Sequence, residues 1–360
     1  MRVGFVGWRG MVGSVLMRRM REEGDFDGLD ASFFSTSNPG GNGPLGAPLL
    51  DARDTHALRQ VDAVVSCQGG DYTAATHPAL RAAGWKGHWI DAASTLRMNP
   101  SATLVLDPVN DAAIRSALAG GCTDFVGPNC TVSLLLMALN GLIRSGHVEW
   151  ISTMTYQAAS GAGANNLREL VDQMAHASNG ITEPAQSALE IDAAVAARLS
   201  DPAFPVAHFG APLAASAIPW IDRRMDDGQT REEWKAMAEA NKLLGRADRP
   251  LPIDGVCVRI GSMRSHAQAV TIKLNAEVPL DEVESMIHEN HAWTSVIPNT
   301  APDTLRSLTP AAVAGTLQVP VGRLRRMKLG PTFFSAFTVG DQLLWGAAEP
   351  LRRMLNILRE

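Results

Sequence analysis

A long apolar run, an excess of positive charge and closely spaced cysteines are all missing from this sequence. The net charge of -5 offers no basic surface that would hold a phosphate backbone or an anionic membrane. The most apolar stretch, Cys130 to Ile143, is too short to cross a bilayer and is interrupted by polar residues such as Ser133 and Asn140. We therefore expect a buried helix there, and neither nucleic acid nor a membrane as a partner.

The cysteines are few and scattered, at Cys67, Cys122, Cys130 and Cys257. They have neither the paired spacing of zinc sites nor the density of secreted disulfide scaffolds, so we expect no metal site. Reduced thiols favour a cytoplasmic location. The strand-like run that begins at Arg2 leaves no room for a signal peptide, which agrees with that location.

The chain of 360 residues exceeds what one hydrophobic core usually serves, so two domains are expected. In the first third, β-branched runs alternate with helical segments, which predicts a parallel α/β sheet. These runs are Val3 to Val6, Ser32 to Ser35, Ala63 to Cys67, Trp89 to Ala92 and Leu104 to Leu106. Longer polar helices and alternating strands follow, notably Val256 to Met263 and His266 to Leu274, and predict an α+β domain. Helical periodicity returns in 342–360, which we expect to dock back on the first domain.

A glycine-rich turn lies between the first strand and the first helix, in the segment VGFVGWRGMVGSVLMRRM. Gly7, Gly10 and Gly13 would let the backbone approach a pyrophosphate while the helix start supplies N–H donors. The spacing G-x-x-G-x-x-G differs from the usual dinucleotide fingerprint, and three glycines in a tight turn could be purely structural. The strand before and the helix after favour nucleotide binding.

The second strand, SFFSTSN, ends without the acidic residue that NAD-specific sites place there. Hydroxyl groups and one cation stand in its place and could bind a 2′-phosphate, so NADP is favoured over NAD. These groups belong to Ser35, Thr36, Ser37 and Arg9. Three nearby aspartates argue the other way, although they precede the strand: Asp25, Asp27 and Asp30.

The segment VGPNCTVSLLLMALNGL predicts a helix that begins at Cys130, with Asn129 as its N-cap. The unpaired N–H groups and the dipole of a helix start are expected to lower the pKa of this thiol and make it a nucleophile. The alternative is a small buried apolar residue, the commoner fate of a free cysteine. We adopt that alternative for Cys67, Cys122 and Cys257.

A candidate base lies in VCVRIGSMRSHAQAVTIKL, where Arg259 and His266 stand among apolar residues. His266 shares its strand alternation with Gln268 and Val270, which predicts the covered face of a sheet. Such a histidine is more often a satisfied core residue than a catalyst. No other histidine has a comparable setting, so His266 is the candidate by elimination.

Further charged candidates lie on a helix and in a loop. In QTREEWKAMAEANK, Thr230 and Glu233 form a capping box, whereas Glu232 and Lys235 share one face and could be an exposed ion pair or part of a site. Arg97 follows a predicted strand, where open α/β sheets bind ligands. Several fixed cations would suit a substrate with carboxylate and phosphoryl groups.

With these residues assembled, the sequence resembles the bacterial aspartate-semialdehyde dehydrogenase family of the Gram-negative type over nearly its full length. The blocks that carry the resemblance are GFVGWRGMVGSVLM, CQGGDYT, IDAASTLRM, NCTVSL, TYQAASGAGA, IPWIDRRMDDGQTREEWK, LTPAAV and VGDQLLWGAAEPLRRML. Pro128 departs from the pattern, in which we expect glycine. It stiffens the turn before the nucleophile without removing a reacting group.

The resemblance implies a fold like that of glyceraldehyde phosphate dehydrogenase. It comprises a Rossmann-like NADP-binding domain over 1–129, completed by helix 342–360, and an α+β catalytic and dimerisation domain over 130–341. It also implies a homodimer that interconverts aspartate semialdehyde and aspartyl phosphate through a thioester, on the route to lysine, methionine and threonine. A related reductase acting on another semialdehyde, such as the N-acetylglutamyl one, is the alternative enzyme. A regulator that lost the chemistry and a Cys–His hydrolase are less well supported.

The resemblance also implies roles by position. Cys130 would be the nucleophile, His266 the acid/base and Gln157 the residue that orients the substrate. Glu232 and Arg259 would hold the substrate amino and carboxylate groups. Arg97, Asn129 and Lys235 would bind phosphate. The NADP contacts would come from the loop Gly7, Arg9, Gly10, Met11, Val12 and Gly13, and from Thr36, Ser37, Gln68, Ser160, Gly161 and Gln342.

Overall fold

The computed structural model describes residues 1–181 and 187–360, which form a seven-stranded and a six-stranded sheet. The seven-stranded sheet is parallel, as predicted, and its order is β3-β2-β1-β4-β5-β7-β6. Its strands are β1 (Arg2–Val6), β2 (Asp30–Ser35), β3 (Leu50–Asp51), β4 (Ala63–Ser66), β5 (His88–Asp91), β6 (Ala102–Leu104) and β7 (Asp124–Val126). The helices of this part are α1 (Met11–Glu22), α2 (Thr55–Leu58), α3 (Gly70–Ala82) and α4 (Asp107–Ala119). The order changes direction between β1 and β4, where doubly wound sheets bind ligands.

Two predicted strands are displaced. We expected Val256 to Met263, but that strand spans Ile253–Ile260, and we expected Leu104 to Leu106, but β6 ends at Leu104. The Asn110 side chain accepts from the N–H of Leu106 at 3.0 Å and donates to the carbonyl of Leu104 at 2.8 Å. These bonds fold the chain into the start of α4, so the last apolar residues of the run pack beside the sheet without extending the strand.

The second sheet is mixed, with the order β12-β13-β11-β8-β10-β9. Its strands are β8 (Val148–Gln157), β9 (Ala217–Ile218), β10 (Ile253–Ile260), β11 (His266–Leu274), β12 (Val321–Arg326) and β13 (Phe333–Gly340). β8 and β10 are parallel, and the other pairs are antiparallel. The helices of this part are α6 (Ala164–Ser178), α7 (Ala188–Leu199), α8 (Arg231–Leu243), α9 (Leu280–His288), α10 (Ala301–Ser307) and α11 (Pro310–Val313).

Helix α5 (Cys130–Arg144) joins the two sheets and is buried along almost its whole length, as its apolar sequence predicts. It follows β7 of the first sheet and packs on β8, β11 and β13 of the second. Its side chains share one core cluster with residues of both sheets, including Val126 and Phe334. The start of α5 therefore lies where the two sheets meet.

The C-terminal segment packs on the first sheet and on α1. A π-helical turn (Leu344–Ala348) continues directly into α12 (Glu349–Ile357). Two buried ion pairs join α12 to α1 and to the loop that follows it. Glu349 pairs with Arg19 at 2.6 Å, and Arg352 pairs with Asp25 at 2.8 Å. In the part of the chain that the structure describes, no helix has both the length and the apolar character needed to cross a membrane.

Candidate active site

The candidate nucleophile lies at the start of α5, as predicted. Asn129 is the N-cap, and its Oδ1 accepts from the backbone N–H of Thr131 at 2.9 Å and of Val132 at 3.3 Å. Two N–H groups that the helix leaves unpaired are satisfied in this way. Cys130 occupies the first helical position, so its side chain is fixed at the point where α5 leaves the first sheet.

A cavity of about 450 Å³ opens beside Cys130. It brings together residues that lie far apart in the sequence and come from both sheets. Its lining includes Cys130, Gln157, Glu232, Arg259, Arg97, Asn129, Lys235, Ser160, Gly161, Gln342 and Val12, which are all sequence-predicted site residues, together with Ser94, Asp222 and Gly346. Most of the predicted substrate and phosphate groups thus face one space.

Glu232 and Lys235 line this cavity, so the alternative of an exposed ion pair does not hold. Their side chains are buried, with Lys235 Nζ 2.8 Å from Glu232 Oε2 and 3.1 Å from Asp222 Oδ2. Glu232 Oε1 also accepts from Asn129 Nδ2 at 3.0 Å and from Gln157 Nε2 at 3.3 Å. Burial opposes ionisation of Glu232, but the charge of Lys235 and these hydrogen bonds outweigh it and lower its pKa to about 2. The predicted capping box of Thr230 and Glu233 starts the same helix.

Two arginines complete the charged lining. Arg97 is held by three acceptors: the carbonyl of Gly127 at 2.8 Å, the carbonyl of Ala92 at 3.1 Å and Glu239 Oε1 at 3.3 Å. Arg259 donates to the carbonyl of Ala158 at 2.8 Å. Burial lowers the pKa of Arg259, against the opposing influence of nearby acidic groups. Both guanidinium groups are thus oriented before any ligand arrives, which limits the entropy lost on binding an anion.

The prediction of a low pKa for Cys130 is wrong. Burial raises the pKa of its thiol to about 12, and the carboxylate of Glu232 adds to the shift, whereas Arg97, Arg259 and Lys235 oppose it. Cys130 keeps some accessible surface, but that surface faces the cavity and protein surrounds the rest. The cost of burying a thiolate therefore exceeds the stabilisation that the helix start provides. Before the reaction, Cys130 is a protonated thiol.

This raised pKa predicts a steep pH dependence of alkylation. Below its pKa, the thiolate fraction of Cys130 grows about tenfold for each pH unit, and the thiolate is the reacting form. The rate of Cys130 modification by neutral iodoacetamide should therefore climb steadily between pH 7 and 9, as followed by mass spectrometry of the peptide. A Cys130→Ala variant supplies the background of the other thiols. A rate that levels off near pH 7 would contradict the raised pKa.

The candidate base His266 is fully buried on the covered face of its sheet, as predicted. Its Nδ1 accepts from the N–H of Ala158 at 3.0 Å, while its Nε2 has no partner within residues 1–181 and 187–360. The neutral ring therefore carries its proton on Nε2. Burial and the nearby Arg259 charge lower the pKa of His266 to about 3. The prediction that such a histidine is usually a satisfied core residue does not hold here.

His266 lies directly behind a glycine of the cavity wall and contributes no surface to the cavity itself. A Cβ at Gly161 would lie 2.9 Å from His266 Nε2 and 3.0 Å from Arg259 Nη1. The absence of a side chain at Gly161 therefore leaves the imidazole separated from the cavity by backbone alone. Gln342 fixes the strands around it, because its Oε1 accepts from Ser265 N–H at 2.7 Å and its Nε2 donates to Ser160 Oγ.

The glycine-rich turn borders a second cavity, of about 350 Å³, lined by Gly7, Arg9, Gly10, Thr36, Ser37 and Gln68 with Trp8, Phe34, Ser35 and Cys67. Arg9 donates to Ser35 Oγ at 3.0 Å and to Ser37 Oγ at 3.1 Å. Cationic and hydroxyl donors thus converge at the end of β2, the place where a 2′-phosphate is recognised. Val12 belongs to the same turn and lines the first cavity, so one extended ligand could reach both.

Two predicted loop residues have packing roles in the structure. Gly13 lets α1 approach the turn, because a Cβ there would lie 2.2 Å from the Gly7 carbonyl oxygen. Met11 packs against the core, and neither residue lines either cavity. The aspartates that argued for NAD lie elsewhere: Asp25 binds Arg352, and Asp30 is at the opposite end of β2 from Ser35.

Sequence reasoning missed residues that line the first cavity or lie behind its wall. Asp222 is the second partner of Lys235, and Glu239 bonds Arg97 and the N–H of Asn129. Gly346, in the π-helical turn, touches the nucleophile, since a Cβ there would lie 2.5 Å from Cys130 Cβ. A glycine inside the C-terminal helical pattern was a usable signal for Gly346. Glu239 lies on the same helix face as Glu232 and could have been found by extending that face.

Comparisons with known proteins agree with this geometry. The family model described as semialdehyde dehydrogenase, NAD binding domain, matches residues 2–117, and the one described as semialdehyde dehydrogenase, dimerisation domain, matches residues 139–345. The solved aspartate semialdehyde dehydrogenase of Francisella tularensis is 46% identical, with 100% of each chain covered and a TM-score of 0.97.

More distant structures share the fold. Aspartate semialdehyde dehydrogenase II of Vibrio cholerae, complexed with ASA, is 24% identical with a TM-score of 0.81, and covers 99% of this chain and 98% of its own. The Candida albicans enzyme, solved with NADP, is 15% identical with a TM-score of 0.67 over the same shares. Together with the full-length match at 46% identity, the two family models show that the chain belongs to the semialdehyde dehydrogenase family.

Proposed function

We propose that this semialdehyde dehydrogenase interconverts aspartate semialdehyde and aspartyl phosphate through a thioester on Cys130. The observation that carries the proposal is a cysteine at a helix start, facing a cavity lined by Arg97, Lys235 and Arg259. The cations suit a carboxylate and a phosphate bound side by side. The thiol suits covalent catalysis on a carbonyl carbon.

In the oxidative direction, the sulfur of Cys130 adds to the aldehyde carbon and its proton passes to the carbonyl oxygen, giving a hemithioacetal. The glycine-rich turn with Arg9, Ser37 and Gln68 would hold NADP, which would supply the acceptor for the hydride that leaves that carbon. Loss of the hydroxyl proton leaves a thioester on Cys130. A phosphate oxygen then attacks the acyl carbon and the C–S bond breaks, which releases the acyl phosphate and regenerates the sulfur nucleophile.

His266 is the proposed acid/base residue of this sequence. Its neutral form carries the proton on Nε2, which has no partner and lies behind Gly161. If the Gly161 backbone shifts aside, this N–H can donate a hydrogen bond to the substrate oxygen, where negative charge develops as the carbonyl becomes tetrahedral. To act as a base at Nε2, the ring must first move its proton to Nδ1, which requires the Ala158 hydrogen bond to break.

The substrate assignment rests on the charges that face Cys130. Glu232 is ionised at neutral pH and Arg259 is fixed, so a free α-amino group and a carboxylate find complementary partners there. Gln157 bonds Glu232 and orients the substrate beside the sulfur. Arg97, Asn129 and Lys235 hold phosphate in the same cavity, where Asn129 and Lys235 both contact Glu232.

The proposed activity can be tested with purified protein, aspartate semialdehyde, phosphate and each nicotinamide cofactor. We expect NADPH formation that requires phosphate. N-acetylglutamate semialdehyde is the comparison substrate, because its acetylated nitrogen has no charge to pair with Glu232. Faster turnover of the acetylated compound would overturn the substrate assignment, and no turnover of either would overturn the enzyme proposal.

We propose NADP as the preferred cofactor because Arg9, Ser35 and Ser37 converge in the second cavity. Arg9→Ala removes a charge-assisted bond to the 2′-phosphate, so the KM for NADP should rise about 10- to 100-fold while the KM for NAD changes little. Initial rates with both cofactors measure the difference. Arg18→Ala, which removes an exposed cation on α1 away from the second cavity, is the matched control. Equal losses with NADP and NAD would argue against a 2′-phosphate site.

We also propose a homodimer that forms through the second sheet. α5 covers one face of this sheet, while the other carries half-exposed apolar side chains, among them Met154 and Val256 at 36% and 41% exposure. An apolar sheet face of this kind is typical of subunit interfaces. Sedimentation should give about twice the chain mass of 38.4 kDa, and a monomer at micromolar concentration would contradict the proposal.

A further inference from the structure

Glu239 is a deeply buried carboxylate that no step of the reaction uses. It lies on α8 seven residues after Glu232 and four after Lys235, on the helix face that points toward the start of α5. It is 1% exposed and does not line the cavity. A buried carboxylate is costly unless it is paired, so its partners define what it does.

Both partners of Glu239 belong to the proposed phosphate site. Its Oε2 accepts from the backbone N–H of Asn129 at 2.6 Å, and its Oε1 accepts from Arg97 Nη1 at 3.3 Å. One carboxylate thus joins the N-cap residue of the nucleophile helix to a cation from the first sheet. Lys242, one turn further along α8, donates to the carbonyls of Arg97 and Asn99, each at 2.7 Å.

We propose that Glu239 is a positioning residue for phosphate, which fixes Arg97 relative to Asn129 so that both can contact the anion without rearrangement. This inference rests on the proposed function. Arg97 uses one N–H for Glu239 and two for backbone carbonyls, which leaves two of its five N–H groups for a ligand. Glu239 does not line the cavity that Cys130 faces, so we expect its effect to fall on the phosphate step.

Glu239→Gln separates the two contacts with little change in volume. An amide has one acceptor oxygen, which should stay with the N–H of Asn129, the closer partner. The amide NH₂ then faces Arg97, donor against donor, and the guanidinium loses one of its three acceptors and is pushed away from Asn129. Phosphate binding should weaken, while the chemistry between Cys130 and the aldehyde should persist.

The test separates acylation from phosphorolysis. When NADP-loaded enzyme is mixed with aspartate semialdehyde in the absence of phosphate, the first burst of NADPH reports acylation of Cys130. We expect the Glu239→Gln burst to stay within about twofold of the original in rate and amplitude, while the KM for phosphate rises about tenfold, as loss of a charged hydrogen bond implies. A merely structural role of Glu239 would weaken acylation of Cys130 and phosphate binding together.

Glu233→Gln is the matched control, with the same change on the same helix in the capping box, away from the phosphate groups. It should leave the KM for phosphate unchanged. An unchanged KM in Glu239→Gln, or a parallel loss of burst and phosphate dependence, would overturn the inference. If Glu239→Gln does not fold, Glu239→Asp, which is too short to reach both partners, takes its place with the same expectations.

Calorimetric titration with inorganic phosphate provides a readout that needs no turnover. Weaker binding of phosphate by the variant than by the original supports the inference, and equal binding contradicts it. Failure of the proposed function is seen separately, as the lack of an NADPH burst in the unaltered protein.

Discussion

Cys130→Ala should abolish phosphate-dependent NADPH formation, with a loss on the order of 10⁴-fold or more, as removal of a covalent nucleophile generally causes. The sulfur is the only group at the start of α5 that can carry the acyl chain, and alanine leaves the helix and its Asn129 cap intact. NADP binding should persist, since Cys130 does not line the cavity around Arg9. Initial rates and a fluorescence titration with NADP measure the two properties.

Cys257→Ala is the matched control for this substitution. Cys257 is also a buried thiol, and burial raises its pKa to about 12, but it lies away from the cavity beside Cys130. We expect its replacement to leave the rate close to the original. Turnover retained in Cys130→Ala, or lost in Cys257→Ala, would contradict the assignment of Cys130 as the nucleophile.

His266→Ala should lower kcat about 10²- to 10⁴-fold, the range that acid/base groups contribute. The neutral His266 ring carries an N–H at Nε2. A side chain that can only donate a hydrogen bond at this place should therefore preserve part of the rate. His266→Gln keeps an N–H at similar reach and should exceed His266→Ala. Rates of NADPH formation at saturating substrate, measured on both variants, give the comparison.

The pH profile tests the same assignment. Because the pKa of His266 is lowered to about 3, the ring is neutral above that pH and should produce no inflection between pH 5 and 9. Two-bond ¹H–¹⁵N spectra of histidine-labelled protein should show the proton on Nε2. A break near pH 6.5 that disappears in His266→Ala, with His266→Gln no better than His266→Ala, would show that the ring acts as a free base.

Local features of the site were predictable because neighbouring residues create them. The start of α5 follows from an asparagine before a helical run, and the capping box of α8 follows from the spacing of Thr230 and Glu233. The covered position of His266 follows from strand alternation. Five strands of the first sheet were predicted from their apolar runs between helical segments, whereas β3 and β7, with two and three residues, are too short to leave such a pattern.

Properties that depend on distant residues were not predictable in this way. The helix start favours a thiolate at Cys130, but the sequence does not reveal how much protein surrounds it, and burial reverses the direction of the pKa shift. The pairing of Glu239 with Arg97 joins residues far apart in the chain. The approach of Gly346 to Cys130 depends on a π-helical turn. Such a turn cannot be predicted from apolar residues that recur every 3.6 positions, because that spacing indicates an α-helix.

The contact between Gly346 and Cys130 has a consequence for the order of events during synthesis. Domains generally fold as they emerge from the ribosome, N-terminal parts first. The nucleophile and the nucleotide turn thus precede, in synthesis, the wall against the sulfur and the ion pairs of α12 with α1. The pocket beside Cys130 is therefore incomplete until the segment with Gly346 and α12 docks on α1 and α5.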